Sequence, residues 1–297
     1  MFILKPILHE TIWGGKRLQK YVEDCDFQIG HLYLVNGHVG TSNIIMNGIY
    51  CGKTLREVFA VEKFNWMMDE YEEFPLTIAL VDASESLSIQ VHPDDIVAER
   101  IEGEKIGKME SWIFLEKPNS DWIYAGCVCD SKKDLEFAVM NNRVEEMVGR
   151  LQIGQNDYVY IEAGILHAMT AGSLVYEIEY GSDYTYRFYD YNRIDEKGYM
   201  RELHIDKGME AVKLEIQPKI YRNVGEQWIS EEKYEIRKVE YIDRYENTSN
   251  KVECIVLLEG NGVLEGCKMS GGIGILLLPE EKLEEINIRS GIIARVR

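Results

Sequence analysis

Short runs of Val, Ile, Leu and Tyr recur along the whole chain, and each run is interrupted after a few residues by Gly, Asn, Asp or Pro. β-Branched and aromatic residues favour the pleated backbone of a strand, and the interrupting residues favour turns. Patterns of helical period are fewer and shorter. The sequence therefore predicts a mainly β protein, a sandwich or barrel, with strands near residues 31–36, 87–91, 112–115, 157–161, 174–180, 185–189, 255–258 and 273–278.

Three helices are expected as insertions between the strands. Thr54 and Glu57 have the spacing of a capping box ahead of apolar residues, which predicts a helix over about 54–72. Pro93 suits the first turn of a helix over about 93–104, because proline lacks the amide that would be unbonded there. Apolar residues at largely helical spacing predict a third helix over about 131–151.

The length of 297 residues suggests two domains, because domains commonly contain about 150 residues. The histidines end at His204, and the stretch after it is strand-like, with turn signals at 259–262 and 270–272. We therefore expect a larger domain over residues 1–218 and a smaller β domain over residues 219–297.

The net charge limits the partners. The chain contains 51 Asp and Glu residues against 33 Lys and Arg, a formal charge of −18. Nucleic acids and anionic membrane surfaces bind basic faces that displace counterions, so the acid excess argues against both as partners. One small anion in one pocket is compatible with it. No segment reaches the ~20 apolar residues of a membrane span, and no Gly-rich phosphate-binding loop is present.

The cysteines and the first residues bear on localisation. The six cysteines include no C-x-x-C pair, which fits a reducing compartment. The first ten residues lack the basic start and small-residue cleavage site of a signal peptide. We expect a cytoplasmic protein.

A row of polar side chains is predicted at residues 88–92. Strand alternation sends Ser88, Gln90 and His92 to one face, which aligns a hydroxyl, an amide and an imidazole. A strand with a solvated face has the same pattern, so the row alone does not identify a site.

A second histidine and a carboxylate also lie in segments that the sequence predicts to be strands or turns beside strands. His167 follows a strand and a turn that contains Gly164, and Lys108 and Glu110 share a face if their segment is extended. Two imidazoles, a carboxylate and an amide oxygen are suitable ligands for Zn²⁺ or a similar divalent ion. Spacing alone leaves two interpretations open, a shared metal site and unrelated polar residues.

Acids and an arginine alternate with aromatic residues over 177–190. Glu177 and Asp183 can accept hydrogen bonds from sugar hydroxyls, and Arg187 can donate to an anionic group. An ion-paired, tyrosine-rich pair of strands would have the same composition, and both interpretations stay open.

These motifs together resemble type I mannose-6-phosphate isomerases, the zinc-dependent members of the cupin superfamily. The similarity runs from residue 1 to about residue 215, and it rests on QVHPDD at 90–95, GKME at 107–110, the segment 164–168, EIEYGSDYTYRFYDYNR at 177–193 and RELH at 201–204. The resemblance implies a cupin-type jelly roll, with residues 219–297 as a second cupin-like unit that has no metal site.

The resemblance also implies a metal site and a reaction. Gln90, His92, Glu110 and His167 would bind one Zn²⁺ per chain. The family interconverts an aldose phosphate and a ketose phosphate by moving a proton between C1 and C2 through a cis-enediol. The expected partner is therefore a small sugar phosphate, here mannose 6-phosphate or fructose 6-phosphate.

Roles for further residues follow from the same resemblance. Arg187 would stabilise negative charge on the enediolate. Lys108 would orient the substrate, or shuttle protons if the nearby metal lowers its pKa. Ser88, Glu177 and Asp183 would bind the sugar.

Some positions depart from the family pattern. A lysine that usually precedes the Asp-Ala pair is Ala79 here, and a usual glutamate and tryptophan are His31 and Tyr33. Loss of a lysine that binds phosphate would weaken binding by roughly 1.5–3 kcal/mol. Two alternatives therefore remain beside the mannose-6-phosphate isomerase: a metal-binding cupin that binds or senses a sugar without turnover, and an isomerase for another sugar. The sequence predicts no oligomeric state.

Overall fold

The computed structural model describes residues 1–22, 25–195, 197–284 and 286–297. Strands hold 43% of the residues and helices 15%, which confirms the mainly β prediction. The strands are β1 Phe2–Leu4, β2 Ile7–Gly15, β3 Ile29–Val35, β4 Gly37–His38, β5 Thr41–Ser42, β6 Leu76–Asp82, β7 Ile89–Val91, β8 Lys108–Glu116, β9 Trp122–Cys127, β10 Val148–Gln152, β11 Tyr158–Ile161, β12 His167–Ala168, β13 Leu174–Gly181, β14 Tyr186–Tyr189, β15 Lys219–Tyr221, β16 Ile229–Ser230, β17 Tyr234–Ile242, β18 Tyr245–Glu246, β19 Glu253–Leu264, β20 Cys267–Ser270, β21 Ile273–Leu277, β22 Lys282–Leu283 and β23 Ile286–Val296.

Four α-helices and three 3₁₀ turns complete the described structure. The 3₁₀ turns are Arg17–Tyr21, Gly48–Tyr50 and Val144–Met147, and the helices are α1 Leu55–Glu62, α2 Asp95–Glu102, α3 Lys132–Met140 and α4 Ile205–Ala211. None of the helices in the described ranges is long and apolar enough to cross a membrane.

The first two helix predictions are confirmed in position, with shorter extents. Thr54 caps α1 as a capping box with Glu57: the Thr54 hydroxyl accepts from the Glu57 amide, and the Glu57 carboxylate accepts from the Thr54 amide. The N-cap of α2 is Asp94, whose carboxylate accepts from the Val97 amide at 2.8 Å. Pro93 therefore lies before the cap and not in the first turn.

The third helix prediction was too long. Helix α3 begins after its N-cap Ser131 and ends at Met140, and the chain then forms a 3₁₀ turn and strand β10. Asn142 has a left-handed backbone with φ of 55°, which stops the helix. The apolar residues beyond it matched a helical period because Val144 and Val148 face the same core as the helix. Helix α4 had no counterpart in the predictions.

The chain divides into two compact units that are not consecutive in sequence. One unit contains residues 1–9, 17–80 and 224–297, and the other contains residues 10–16 and 81–223. This division differs from the expected domains over 1–218 and 219–297. The first strand explains the difference, because Ile3 of β1 pairs with Ile275 of β21 and so ties the start of the chain to its end.

The unit that contains both chain ends holds one complete antiparallel sheet and, in addition, strands β3 to β5 and most of β6. The strand order of the complete sheet is β1-β21-β19-β23-β17-β16, with β20 paired to β19. The predicted turn at 259–262 was wrong, because β19 continues to Leu264 through bulges near Glu259 and Gly260. The turn falls at Glu265 and Gly266 instead, where both residues have positive φ. The turn predicted at 270–272 is confirmed between β20 and β21.

The unit of residues 10–16 and 81–223 contains two groups of antiparallel strands. One is a five-stranded sheet of order β10-β9-β12-β7-β14, and the other has the order β15-β11-β8-β13. Apolar side chains on one face of the five-stranded sheet, among them Ile89, Val91 and Phe188, pack with Leu135 of α3 and Ala211 of α4. Since side chains alternate along a strand, the other face is left to the residues between them.

Candidate metal centre and active site

The face of the five-stranded sheet that does not pack on α3 and α4 carries a row of polar residues. Gln90 of β7 lies directly opposite Arg187 of β14 on one side and His167 of β12 on the other. Residues that lie opposite each other in an antiparallel pair project from the same face, so the three side chains stand side by side. His92, two residues after Gln90, joins this face, as strand alternation predicted.

Strands β8 and β13 supply a second set of buried polar residues. Lys108, Glu110 and Trp112 alternate along β8, and Glu110 lies opposite Glu179 while Trp112 lies opposite Glu177. The five side chains therefore project from one face. Apart from Trp112 they are ionisable, and all five are buried.

The two sets meet at the carboxylate of Glu110. His92 Nε2 lies 3.1 Å from Glu110 Oε2, and His167 Nε2 lies 3.1 Å from Glu110 Oε1. The imidazole rings are 4.9 Å apart, and none of the three residues is more than 2% exposed. The structure thus brings together three of the four residues that the family resemblance implied as metal ligands.

Backbone carbonyls determine which ring nitrogen of each histidine faces the carboxylate. His92 Nδ1 lies 2.9 Å from the carbonyl oxygen of Tyr184, and His167 Nδ1 lies 2.8 Å from that of Ile165. A carbonyl oxygen only accepts, so each Nδ1 carries the hydrogen and donates. In a neutral imidazole the Nε2 lone pair is then directed at Glu110, which is the arrangement found in metal-binding histidines.

The charge states of this cluster favour a cation. Burial lowers the pKa of His92 to about 4, although Glu110 opposes the shift, so the ring is neutral at pH 7. Burial alone would raise the pKa of Glu110, but the charge and hydrogen bonds that His92 and His167 offer when protonated hold it well below its usual range. Two imidazole lone pairs and a carboxylate therefore converge in a buried space, and a divalent cation satisfies all three. The donor set fits the implied metal.

Gln90 lies beside the cluster with its amide nitrogen toward it. Gln90 Nε2 is 3.4 Å from His167 Nε2, and Gln90 Oε1 accepts a hydrogen bond from Ser88 Oγ at 3.0 Å. A half turn of the amide would exchange its oxygen and nitrogen, and only the oxygen can bind a metal. Ser88, which was expected to bind substrate, contacts Gln90 in this structure. The substrate role of Ser88 and the metal-binding role of Gln90 both remain predictions.

Lys108 is surrounded by carboxylates. Its Nζ donates to Glu179 Oε1 at 2.5 Å and lies 3.8 Å from Glu110 Oε2. Burial alone would lower the pKa of Lys108, but Glu179, Glu110 and Glu177 raise it, so the ammonium keeps its charge. Proton transfer by Lys108 would require a lowered pKa, and the carboxylates raise its pKa instead. The raised pKa fits a fixed positive charge that orients a substrate.

Glu177 and Glu179 are close to Glu110, and their carboxylates form a second group with metal-binding geometry. Glu177 Oε1 accepts from the indole nitrogen of Trp112 at 3.0 Å. Burial and the neighbouring Glu179 and Glu110 raise the pKa of Glu177 well above its usual range. Sequence reasoning gave Glu179 no role, although its spacing of two from Glu177 was the signal that both share a face.

Asp183, which the sequence analysis expected to bind substrate, lies apart from these contacts. It is exposed in the loop between β13 and β14. Among the described residues, no hydrogen bond or ion pair joins it to the histidines or to Glu110. Its substrate role stays a prediction.

The positions that depart from the family pattern belong to the other unit. Ala79 of β6 is fully buried among apolar neighbours in sequence. His31 and Tyr33 of β3 form a stacked group with His9 of β2, with ring centroids 5.2 to 6.0 Å apart. The structure thus gives His31 aromatic neighbours within its own sheet.

Comparison with known proteins gives the family. A model of the phosphomannose isomerase type I catalytic domain matches residues 1–109. The mannose-6-phosphate isomerase ManA of Bacillus subtilis is 32% identical over 211 residues, which are 71% of this chain and 67% of that protein. The probable mannose-6-phosphate isomerase GmuF of the same organism is 34% identical over 212 residues, with shares of 70% and 67%. The chain belongs to the type I phosphomannose isomerases.

A solved structure extends the likeness over the whole chain. The crystal structure of the mannose 6-phosphate isomerase from Bacillus subtilis has a TM-score of 0.83 and 27% identity, and it covers 99% of this chain and 98% of its own. The structural relatives of this chain have the cupin fold, which confirms the predicted cupin fold. The predictions of the family and of an enzyme of this class are confirmed as well.

Proposed function

We propose that this chain is a zinc-dependent aldose–ketose isomerase that interconverts mannose 6-phosphate and fructose 6-phosphate. The observation that carries the proposal is the buried cluster in which both Nε2 atoms and the Glu110 carboxylate converge. Family membership supports the substrate, since relatives that match two thirds of their length are named mannose-6-phosphate isomerases.

The proposed metal site uses His92, Glu110, His167 and Gln90 for one Zn²⁺ per chain. Ligand type alone would suit several divalent ions, so the choice of zinc rests on the family. When bound, zinc acts as a Lewis acid that polarises the sugar carbonyl or hydroxyl. Ser88 holds the Gln90 amide within reach of the site.

The remaining residues would handle the charge that develops when a proton moves between C1 and C2 through a cis-enediol. Arg187, next to Gln90 in the sheet, stabilises the negative charge of the enediolate. Lys108 supplies a second fixed positive charge, held by Glu179. Glu177, held by the Trp112 indole, and Asp183 accept hydrogen bonds from sugar hydroxyls.

One observation favours a second candidate, a cupin that binds a sugar without turnover or acts on another sugar. The position at which the family resemblance implied a lysine is a fully buried alanine, Ala79, which supplies no positive charge. An isomerase that lacks part of its phosphate-binding charge would accept phosphorylated sugars less well.

A metal and turnover measurement separates these candidates. The purified protein should contain about one zinc per chain and form fructose 6-phosphate from mannose 6-phosphate. Arg187→Ala should keep the metal and lose turnover by a hundredfold or more, about the effect of removing one charge-stabilising donor. His92→Ala and His167→Ala should lose most of the metal, and His9→Ala, an exposed histidine, is the matched control that should keep it.

Bound zinc with turnover no better than that of Arg187→Ala would reject the isomerase and favour the sugar-binding cupin. Unchanged metal content in both histidine variants would reject the proposed site.

A further inference from the structure

The last histidine of the chain, His204, lies against the strand that carries Arg187. The Arg187 amide donates to His204 Nδ1 at 3.4 Å, and the His204 amide donates to the Arg187 carbonyl at 2.8 Å. A single residue therefore bonds both backbone groups of Arg187. At the other end of the segment 201–204, Arg201 Nε donates to Asp190 Oδ2 at 2.7 Å, so the segment is tied at two points to β14 and the residue after it.

The bonds to His204 lie on the open side of β14. This strand is the last in the order of its sheet, so only one of its sides pairs with another strand of that sheet. In an antiparallel pair, a residue directs its amide and its carbonyl both toward the partner strand or both away from it. Both groups of Arg187 point away from β7 and toward His204. His204 thus completes the edge of the sheet at the residue whose side chain lies beside Gln90.

No carboxylate anchors the side chain of Arg187. Among the described residues, no acidic side chain forms an ion pair with its guanidinium group, and its buried Nε has no hydrogen-bond partner there. By comparison, Arg193 and Arg201 both donate to Asp190. Without such an anchor, the position of the Arg187 guanidinium group depends on its backbone, which the two bonds to His204 hold.

The ring of His204 accepts the Arg187 hydrogen only in its neutral form. Nδ1 faces an N–H donor, so the hydrogen of the neutral ring is on Nε2, which lies 3.9 Å from Glu202 Oε2. His204 is the N-cap residue of α4, but its side chain accepts no hydrogen bond from the helix amides. Protonation places a hydrogen on Nδ1 as well, and two donors then face each other across the contact.

The surroundings of the ring keep it neutral at pH 7. Burial is the largest effect, and together with the positive charge of Arg187 it lowers the pKa of His204 below its ordinary value of 6.5. The nearby carboxylates oppose this shift without cancelling it. The charged and titratable groups that face the ring are Arg187 and Tyr186 of β14, Glu102 of α2, Lys207 of α4 and Glu202.

We infer that His204 is a positioning residue for the proposed isomerase reaction: its neutral ring holds the backbone of Arg187, and protonation of the ring releases that hold. The inference rests on the proposed function for the role of Arg187 on the enediolate. His204 acts through Arg187 alone. The consequence is a loss of turnover in acid that originates outside the metal site.

Kinetics of the zinc-loaded full chain with mannose 6-phosphate test the inference. His204→Leu removes the acceptor and should lower kcat about five- to thirtyfold, less than the loss of the whole Arg187 side chain. KM should change by less than about threefold, and zinc per chain should stay unchanged, because the substrate and metal ligands are intact. In the Arg187→Ala background, His204→Leu should add almost nothing.

His204→Asn is the conservative variant that should restore turnover. Its amide oxygen can accept from the Arg187 amide, and asparagine suits an N-cap position. Its kcat at neutral pH should therefore stay within about threefold of the wild type, since the lost bond is replaced. A purely structural His204 would instead lower the Tm in both variants and leave kcat of the folded enzyme unchanged.

The pH profile of kcat gives a readout that packing alone does not move. The wild type should lose turnover as the pH falls below 6.5, and His204→Asn should lack this step because an amide takes up no proton. The substrate phosphate titrates near pH 6 with both enzymes, so only the difference between them is assigned to His204. His9→Asn, in the other unit, is the matched control and should keep the wild-type profile.

An NMR titration tests the contact without catalysis. The amide resonance of Arg187 should shift together with the protonation of His204 in the wild type. It should not shift over the same pH range in His204→Asn. An Arg187 amide that ignores the protonation of His204 would overturn the inference, even if His204→Leu failed to fold.

The outcomes separate this inference from the proposed function. If the wild type forms fructose 6-phosphate while His204→Leu keeps its kcat, or while His204→Asn keeps the acid-side step, the positioning role is refuted and the isomerase stands. If the wild type forms no fructose 6-phosphate, the proposed function and the catalytic role of His204 are both refuted, and a shift of the Arg187 amide with His204 would show the contact to be structural only.

Discussion

At the scale of single residues, the candidate site depends on which ring nitrogen of each histidine carries the hydrogen. The carbonyls of Tyr184 and Ile165 take the Nδ1 hydrogens of His92 and His167, so both rings turn their Nε2 atoms to Glu110. In the absence of a cation these three groups have no hydrogen to share unless one ring is protonated. A buried imidazolium is costly, and the low pKa of His92 expresses that cost.

The pH dependence of the metal-free protein follows from this shift. The pKa of His92 is about 4 in the folded chain against 6.5 in the unfolded chain, so between these values the unfolded chain binds the additional proton. The stabilisation is complete above pH 6.5 and is lost as the pH falls toward 4. We expect the free energy of unfolding to fall by about 3 kcal/mol over this range, at about 1.4 kcal/mol for each pKa unit. Urea unfolding of chelator-treated protein at several pH values measures it.

His92→Gln is the matched control for this titration, because its amide can still donate to the Tyr184 carbonyl but takes up no proton. Its unfolding free energy should change less steeply than that of the wild type between pH 6.5 and 4. Identical slopes for the two proteins would show that His92 is not the group responsible.

At the scale of elements, the turn between β11 and β12 connects the two histidines of the site. The Gly164 amide donates to the His92 carbonyl at 2.9 Å, and the Gly164 carbonyl accepts from the Lys213 amide at 2.9 Å. Gly164 has a φ of 96°, which residues other than glycine rarely adopt. An added Cβ would lie 2.8 Å from the Lys213 side chain and 3.2 Å from the Ala211 carbonyl oxygen.

Gly164→Ala should therefore weaken both the fold and the metal site. We expect a loss of about 1–3 kcal/mol in unfolding free energy and less than one metal per chain, because the strained turn shifts His92 and His167 together. Gly225→Ala is the matched control: its Cβ meets nothing within 4 Å and its φ is not positive. A Gly164→Ala protein with the Tm and metal content of the wild type would contradict the role of this turn.

At the scale of the whole molecule, the start and the end of the chain belong to one compact unit. Strand β1 pairs with β21, and Ile3 packs in one core with Ile255, Ile275 and Ile293. A division into consecutive domains would separate Ile3 from these partners. In a fragment without residues 224–297, the apolar side chains that pack against those residues would be exposed.

A fragment test distinguishes the observed units from the consecutive domains. Residues 1–218 expressed alone should be insoluble or show no cooperative thermal transition, and coexpression with residues 219–297 should restore a soluble complex. The full chain is the reference. A soluble fragment 1–218 that unfolds cooperatively and binds one metal per chain would instead support the consecutive domains.

The sequence by itself determined the features that depend on neighbours along the chain. Alternation placed Gln90 and His92 on one face, a capping box located the start of α1, and runs of branched residues located the strands, because each is a matter of local backbone geometry. The family motifs predicted the fold, which is confirmed, and a set of metal ligands, which stays a prediction.

Contacts between distant segments were decided only by the tertiary structure. His92, Glu110 and His167 meet, Lys108 pairs with Glu179, and Arg201 donates to Asp190. Each of these contacts joins residues on different strands or loops, and their separation depends on strand pairing. The sequence also could not predict where α3 ends or that the two chain ends share one core. The spacing of apolar residues predicts which residues are buried, but only the folded structure shows which residues they pack against.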